Sequence, residues 1–220
     1  FIIPLLPLFA DKFALSLAQV GLVTGLSRIL AFIVQPLTGY LADRYRSRLF
    51  VLGGLFLVVL FVPLTGVAPG FWFLLLFVGL GSIGSSMFHP PCAGMVTDYA
   101  GRKPGLSMSV FNTGGTLSFG VGPVFIAWYV GVYGLGAMPW LMALGGAVMV
   151  YLLGVLPPPR GEGLRDLGFL GSMRDAFGEA WRPILVLWFI MVLRSYTGQS
   201  FFTFLPMLFA SEGYSLISVG

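Results

Sequence analysis

Two long stretches of this chain carry no charged residue: 49 residues from Leu49 to Thr97 and 56 residues from Pro104 to Pro159. A membrane-spanning helix needs about 20 mostly apolar residues. Each stretch therefore holds two spans joined by a turn. The turns fall at Gly66–Gly70, which contains Pro69, and at the glycine-rich segment 131–136. Composition points the same way. Hydrophobic residues make up 57% of the chain and charged residues 9%. Soluble domains carry about 25% charged residues. Mean hydropathy is +0.94. So little polar surface cannot cover a water-facing body, and lipid is the solvent that fits.

The remaining spans follow by the same reasoning. A partial span covers 1–9, a second 17–41 and a seventh 184–209, and an eighth opens near Ser215. The opening Phe-Ile-Ile-Pro-Leu-Leu-Pro reads as the second half of a helix whose start is missing, so truncation at both ends is expected. Charge assigns the loops. Arg44, Arg46 and Arg48 follow the second span, Arg102 and Lys103 the fourth, and Arg160, Arg165, Arg174 and Arg182 the sixth. Of the other loops, only the first carries a basic residue, Lys12. The positive-inside rule places the even-to-odd loops in the cytoplasm and the chain in the cell's inner (plasma) membrane. The net charge of +4 comes from short clusters between apolar runs. That pattern fits loops at an anionic leaflet and argues against a nucleic-acid partner.

The chain divides into a six-span unit over 1–156, a cytoplasmic linker over 157–182 and the start of a second unit over 183–220. Leu170, Met173, Phe177 and Trp181 recur at helical spacing in the linker, with Arg174, Asp175 and Glu179 between them. This reads either as an amphipathic interfacial helix or as a solvated linker. At an offset of 199, Leu6-Pro7 falls on Leu205-Pro206, Ser16-Leu17 on Ser215-Leu216 and Val20-Gly21 on Val219-Gly220. Span seven then repeats span one in the same orientation, as in a parallel six-plus-six architecture.

Between spans two and three stands Gly39-Tyr-Leu-Ala-Asp-Arg-Tyr-Arg-Ser-Arg48. It resembles the loop signature of the major facilitator superfamily, with Gly39, Leu41, Asp43, Arg44 and Arg48 matching and Arg46 where the pattern usually has glycine. The resemblance implies an all-α membrane fold of two six-helix bundles, of which this chain holds about seven helices. It also implies a cytoplasmic gating cluster that latches the two halves. Asp98, near the cytoplasmic end of span four, joins this cluster as a partner for the loop arginines. The plainer reading is that these arginines only set topology.

A narrower resemblance, to the fosmidomycin-resistance branch of the superfamily, rests on several segments. They are Phe88-His-Pro-Pro-Cys92, Gly105–Gly115, Gly120-Val-Gly-Pro123, Leu193-Arg-Ser195 and Thr203-Phe-Leu-Pro206. It implies proton-coupled export of small toxic molecules. Pro91 stands where that branch usually has glutamate, so one carboxylate able to titrate is absent. Gly122-Pro123 resembles the core of the span-five signature of proton-coupled exporters. Gly114, Gly115 and Gly122 permit close helix contact, and Pro123 removes a backbone donor and can bend its helix.

An ionised side chain at mid-bilayer costs about 2.5–3.5 kcal/mol on insertion scales. Arg28 lies sixteen residues from both Lys12 and Arg44, about 24 Å of helix in each direction. Arg194 lies twelve residues after Arg182, about 18 Å. Both therefore fall near the midplane, with Gln199 further on. Each arginine either lines a central cavity or makes a structural pair. Two arginines sharing a cavity favour an anionic or strongly polar substrate. His89, the single histidine, suits proton exchange by its ordinary pKa of about 6.5, or else packs where Pro90-Pro91 kinks the span. Asn112 is a further cavity candidate.

A small-molecule substrate, protons and the bilayer are the expected partners, and a monomer is the expected state. No cofactor or metal is called for. Cys92 is the single cysteine, and no nucleophile or metal-ligand spacing supports an enzyme. No filter-like loop supports a channel. Uptake of a small organic anion by proton symport, or a non-transporting membrane sensor, are the alternatives to export.

Overall fold

A computed structural model describes residues 2–45, 47–156 and 168–214. The side chains of Asp43, Asp175 and Ala176 lie outside the described part, as do Arg46, most of the linker and the expected start of an eighth span. Among the described residues the regular structure is entirely helical. The helices are α1 (Leu6–Phe13), α2 (Leu17–Arg44), α3 (Ser47–Leu64), α4 (Phe71–Tyr99), α5 (Pro104–Tyr133), α6 (Leu141–Val155), α7 (Gly168–Phe177) and α8 (Trp181–Ser211). Helix is what lipid demands, because it satisfies every backbone N–H and C=O within the segment. Six stretches built on α2, α3, α4, α5, α6 and α8 are long and apolar enough to cross a membrane among the described residues. Helix α1 has eight residues, too few to cross a membrane by itself.

The boundaries follow local chemistry. Ser16 and Gln19 form a reciprocal capping box that starts α2: the Gln19 N–H donates to Ser16 Oγ, and the Ser16 N–H donates to Gln19 Oε1 at 2.9 Å. Gly134, at φ +77, ends α5 in a conformation that L side chains rarely adopt. Helix α7 is shorter than the periodicity predicts. Gly178, at φ +46, breaks it, and Trp181 opens α8 instead of closing α7.

Helix α3 packs most extensively on α4, and α2 packs on the same α4. Glycine makes the first contact possible. A methyl group on Gly54 would lie 2.5 Å from the Gly84 carbonyl oxygen, and one on Gly84 would lie 2.6 Å from the Gly54 oxygen. The two backbones therefore touch at a glycine pair, as small-residue interfaces in membranes allow. Gly81 and Gly145 likewise receive Val62 and Val59 of α3. Gly114 and Gly115 face open space, with nothing within 4 Å of an added methyl among the described residues. Gly122 is buried and Pro123 half-buried. The reason is placement: α5 meets α4 over a limited contact, and its Gly114–Gly120 face has no described helix beside it.

The buried apolar core lies at the end of the bundle away from the arginine-bearing loops. Leu5, Phe9, Val20, Val23, Leu74, Ile126 and Met138 form it. Lys12 holds the same end together from outside: its Nζ donates to the carbonyls of Gly66 at 3.0 Å and Ala68 at 3.3 Å. Helix α1 packs directly on α8, and Pro7 and Pro206, paired by the sequence repeat, are both buried.

Gly84→Val should lower stability by about 1–3 kcal/mol through overpacking against the α3 backbone. Gly114→Ala should cost nothing. Detergent-based unfolding of both variants, followed by circular dichroism, checks the contrast.

Candidate functional site

The residues expected in the membrane interior fall into two groups. The first spans α2 and α8. Arg28 Nη2 donates to Gln199 Oε1, and Gln199 Nε2 donates to Thr203 Oγ1 at 3.2 Å. Thr203 is 3% exposed and Gln199 half-buried, while Arg28 is exposed. The amide of Gln199 is thus fixed at both ends. Its nitrogen points to a buried hydroxyl and its oxygen to a guanidinium. Arg28 has five N–H donors, and Gln199 is its hydrogen-bond partner among the described residues.

This bridge belongs to an antiparallel seam. A methyl on Gly21 would meet the Phe204 ring at 3.8 Å, and Phe32 meets Trp188 with ring centroids 6.1 Å apart. Side chains make these contacts. The backbone of α8 lies close to α1, whereas α2 is reached by Phe204, Gln199 and Trp188. Arg194 does not join the bridge. It lies five residues before Gln199, about 140° around the helix, and is exposed.

The second group lies on α4 and α5. The ring of His89 sits 5.8 Å from that of Phe111, centroid to centroid. Asn112 follows Phe111 and is exposed, as is His89. The structure thus brings His89 beside α5, and no hydrogen bond joins it to the Arg28 bridge among the described residues.

The basic loop motif is tied down at several points. Arg44 Nη1 donates to the Tyr40 hydroxyl at 3.1 Å, and the Tyr40 ring meets Phe169 of α7 edge-on at 5.5 Å. Ser47 Oγ donates to the Ala42 carbonyl at 3.0 Å. Arg48 Nη2 donates to the Leu153 carbonyl at 2.5 Å. Leu153 lies in the last turn of α6, where carbonyls lack intrahelical partners and the helix dipole is negative. Arg48 therefore caps a neighbouring helix. Gly39 rests against Pro90 of α4, with ordinary van der Waals room for a methyl at 3.8 Å. Leu41 is half-buried. Asp98 is exposed at the end of α4, and no ion pair joins it to Arg48 among the described residues.

Sequence reasoning missed Thr203, Tyr40, Phe169 and Lys12 as partners. Thr203 carried a signal, four residues after Gln199 and so on the same helical face. Tyr40 and Phe169 are 129 positions apart, and nothing local links them.

Among the described residues, six helical stretches long and apolar enough to cross a membrane, with charges gathered in short loops between them, define a polytopic helical membrane protein. The chain belongs to the Major Facilitator Superfamily, whose model matches residues 1–220. It is 28% identical over 151 residues to the fosmidomycin resistance protein of Escherichia coli K12, covering 69% of this chain and 37% of that protein. It is 23% identical over 202 residues to the MFS transporter asaE of Aspergillus flavus, covering 88% of this chain and 42% of that one. The quinolone resistance protein NorA of Staphylococcus aureus is 25% identical over 126 residues, covering 55% of this chain and 32% of its own length. The chain thus spans about two fifths or less of these relatives.

Arg48→Ala should cost about 1 kcal/mol of stability, the scale of a cation at a helix C-terminus, and Arg48→Lys should recover most of it. Thermal unfolding in detergent micelles measures both.

Proposed function

We propose that this chain is part of a secondary active transporter that exports a small molecule in exchange for protons by alternating access. In this reading residues 1–156 form the first six-helix unit, 157–182 the cytoplasmic linker and 183–220 the start of the second unit. The loops bearing Arg44, Arg48, Arg102 and Arg182 face the cytoplasm of a cell with this protein in its inner membrane.

The observation that carries the proposal is the Arg28–Gln199–Thr203 chain. It joins α2 to α8, and so the first unit to the second, within the membrane-spanning region. An intramembrane arginine is a functional candidate by default. Side chains close the seam beside it, Phe32 against Trp188 and Phe204 over Gly21. Two of the relatives carry drug resistance in their names, which supports export.

Protons would use His89, whose imidazole can take up and give back a proton and stands beside Phe111 of α5. The motif residues Gly39, Leu41, Asp43, Arg44 and Arg48 would gate the cytoplasmic side, with Asp98 near them. Tyr40 extends that gate to α7 through Phe169. Arg28 favours a second reading, uptake of a small organic anion by proton symport, because a guanidinium with donors to spare recognises oxyanions bidentately.

The test uses everted vesicles carrying the complete protein, energised, with candidate drugs and organic anions added singly and a pH-sensitive dye recording proton release. Release on adding a compound, lost in Asp43→Asn, is the expected result. No release with any compound despite confirmed insertion would remove export by proton exchange. Within an active preparation, Arg28→Ala should reduce transport at least about tenfold, the loss of one charge-assisted contact of about 1.5 kcal/mol. Arg194→Ala should reduce it less. Equal activity of both variants and the parent would detach Arg28 from the pathway.

A further inference from the structure

In the Arg28–Gln199–Thr203 chain the direction of the middle amide is fixed. Gln199 Nε2 donates to Thr203 Oγ1 at 3.2 Å, one turn further along α8. Thr203 is buried at 3% exposure. With the nitrogen engaged there, the oxygen is the end that faces Arg28, and it accepts from Arg28 Nη2. Turned over, the amide would set its own N–H groups against a guanidinium that has only donors. Thr203 therefore makes Gln199 present an acceptor to Arg28 across the α2–α8 seam.

That acceptor is neutral. A carboxylate in its place would cancel the arginine's charge, and an amide does not. The nearest acidic residues along α2 and α8 are Asp43 and Glu212, 15 positions from Arg28 and 13 from Gln199. Those separations are about 22 Å and 20 Å of helix, too far to reach the bridge. Among the described residues no ion pair engages Arg28.

Arg28 thus keeps its charge, and its fork of five donors is engaged at Nη2. A carboxylate or phosphate-type group offers a guanidinium two oxygens at once, in bonds roughly twice as strong as those of a neutral acceptor. Such a group wins Arg28 from Gln199. The exchange has a mechanical side. Arg28 stands on α2 and Gln199 on α8, so the hydrogen bond that is lost is one that joins these two helices.

We propose that Gln199 is a displaceable ligand of Arg28: it holds the guanidinium until an oxyanion group of the transported molecule takes its place, and the exchange frees α8 from α2. This rests on the reading of Arg28 as part of the transport pathway. It adds the class of group recognised, a carboxylate or phosphate-type oxyanion, and it makes Thr203 a positioning residue that acts through Gln199.

The experiment measures the α2–α8 distance in the complete protein, by double electron–electron resonance in lipid nanodiscs. Spin labels sit at Leu17→Cys and Leu208→Cys, exposed positions one turn beyond the Gly21–Phe204 contact on each helix, with other cysteines replaced by serine. Benzoate and phenyl phosphate are the oxyanion probes, and benzamide is the uncharged control. Either anion should raise the longer-distance population, and benzamide should not. Arg28→Ala should abolish the response. Gln199→Glu supplies a tethered carboxylate, so its response should need about tenfold more anion, the scale of one bond to a charged group. Gln199→Ala and Thr203→Val should show the longer distance before any anion is added, and Thr203→Ser should behave as the parent. Circular dichroism confirms that each variant is folded, and the comparison of anions with benzamide in the labelled parent needs no further substitution. An unchanged distance with both anions overturns the proposal, as does a response that survives in Arg28→Ala or is as sensitive in Gln199→Glu as in the parent. Proton release by the same preparation reads export separately, so an absent anion response beside intact release overturns this proposal alone.

Discussion

The absence of water inside the bilayer governs this structure. A peptide group with no partner in hydrocarbon costs several kcal/mol, so the apolar runs have little choice but to become helices. Once they are helices, burying apolar surface no longer draws them together, because lipid tails are as apolar as leucine. Close packing must then do the work. The Gly54–Gly84 contact is the clearest case: two backbones meet where neither residue has a side chain, with Leu57 and Val58 of α3 and Met87 and Phe88 of α4 around them. Lys12 adds a polar tie at one end by occupying the carbonyls of the turn between those helices.

Because charge is so scarce, where each cation goes is informative. Lys12 and Arg48 both donate to main-chain carbonyls at helix ends or turns. Such groups are left over by helix geometry and would otherwise need water. Arg182 lies over the Trp181 ring at the start of α8, 5.3 Å from its centroid. Arg28 breaks this pattern. Its partner is a side-chain amide on another spanning helix, held in turn by a buried hydroxyl. A residue kept only to fasten helices would be cheaper as an apolar one, given the cost of an arginine at that depth.

The apolar runs and the loop charges were legible in the sequence because each is a local property, a run length or a spacing, whereas spacing left the linker open between a helix and a solvated stretch of chain, and α7 is helical over Gly168–Phe177. Arg28 and Gln199 were individually legible as intrusions of polarity into apolar runs. Their pairing was not, since 171 positions separate them and neither carries a mark of the other. The glycines show the opposite limit. A glycine in a spanning helix signals that a close approach is possible, and sequence cannot say whether a neighbour has come. At Gly84 one has, whereas at Gly114 and Gly115 none has among the described residues. The end of α7 was misplaced for a related reason. Trp181 fits the apolar spacing of α7, but Gly178 takes a positive φ that interrupts the helix before Trp181 is reached.

Two kinds of helix contact therefore coexist, and their stiffness differs. Helices α3 and α4 touch through backbone atoms that cannot change shape, so sliding one past the other requires separating them. Helices α2 and α8 meet through Phe32, Trp188, Arg28, Gln199 and Phe204, side chains with several rotatable bonds that can break and remake contacts one at a time. Helix α4 ties α2 to α3, so a displacement of α8 would leave the α2–α4 group intact and act on α8's packing against α1 and on the Arg28–Gln199 bond. Nearer the other end of α2, Phe169 of α7 meets the Tyr40 ring edge-on, and the Tyr40 hydroxyl accepts from Arg44. The Arg28–Gln199 seam and the basic loop motif thus lie along one helix, α2, with Pro36 between them, where a missing backbone donor lets a helix bend.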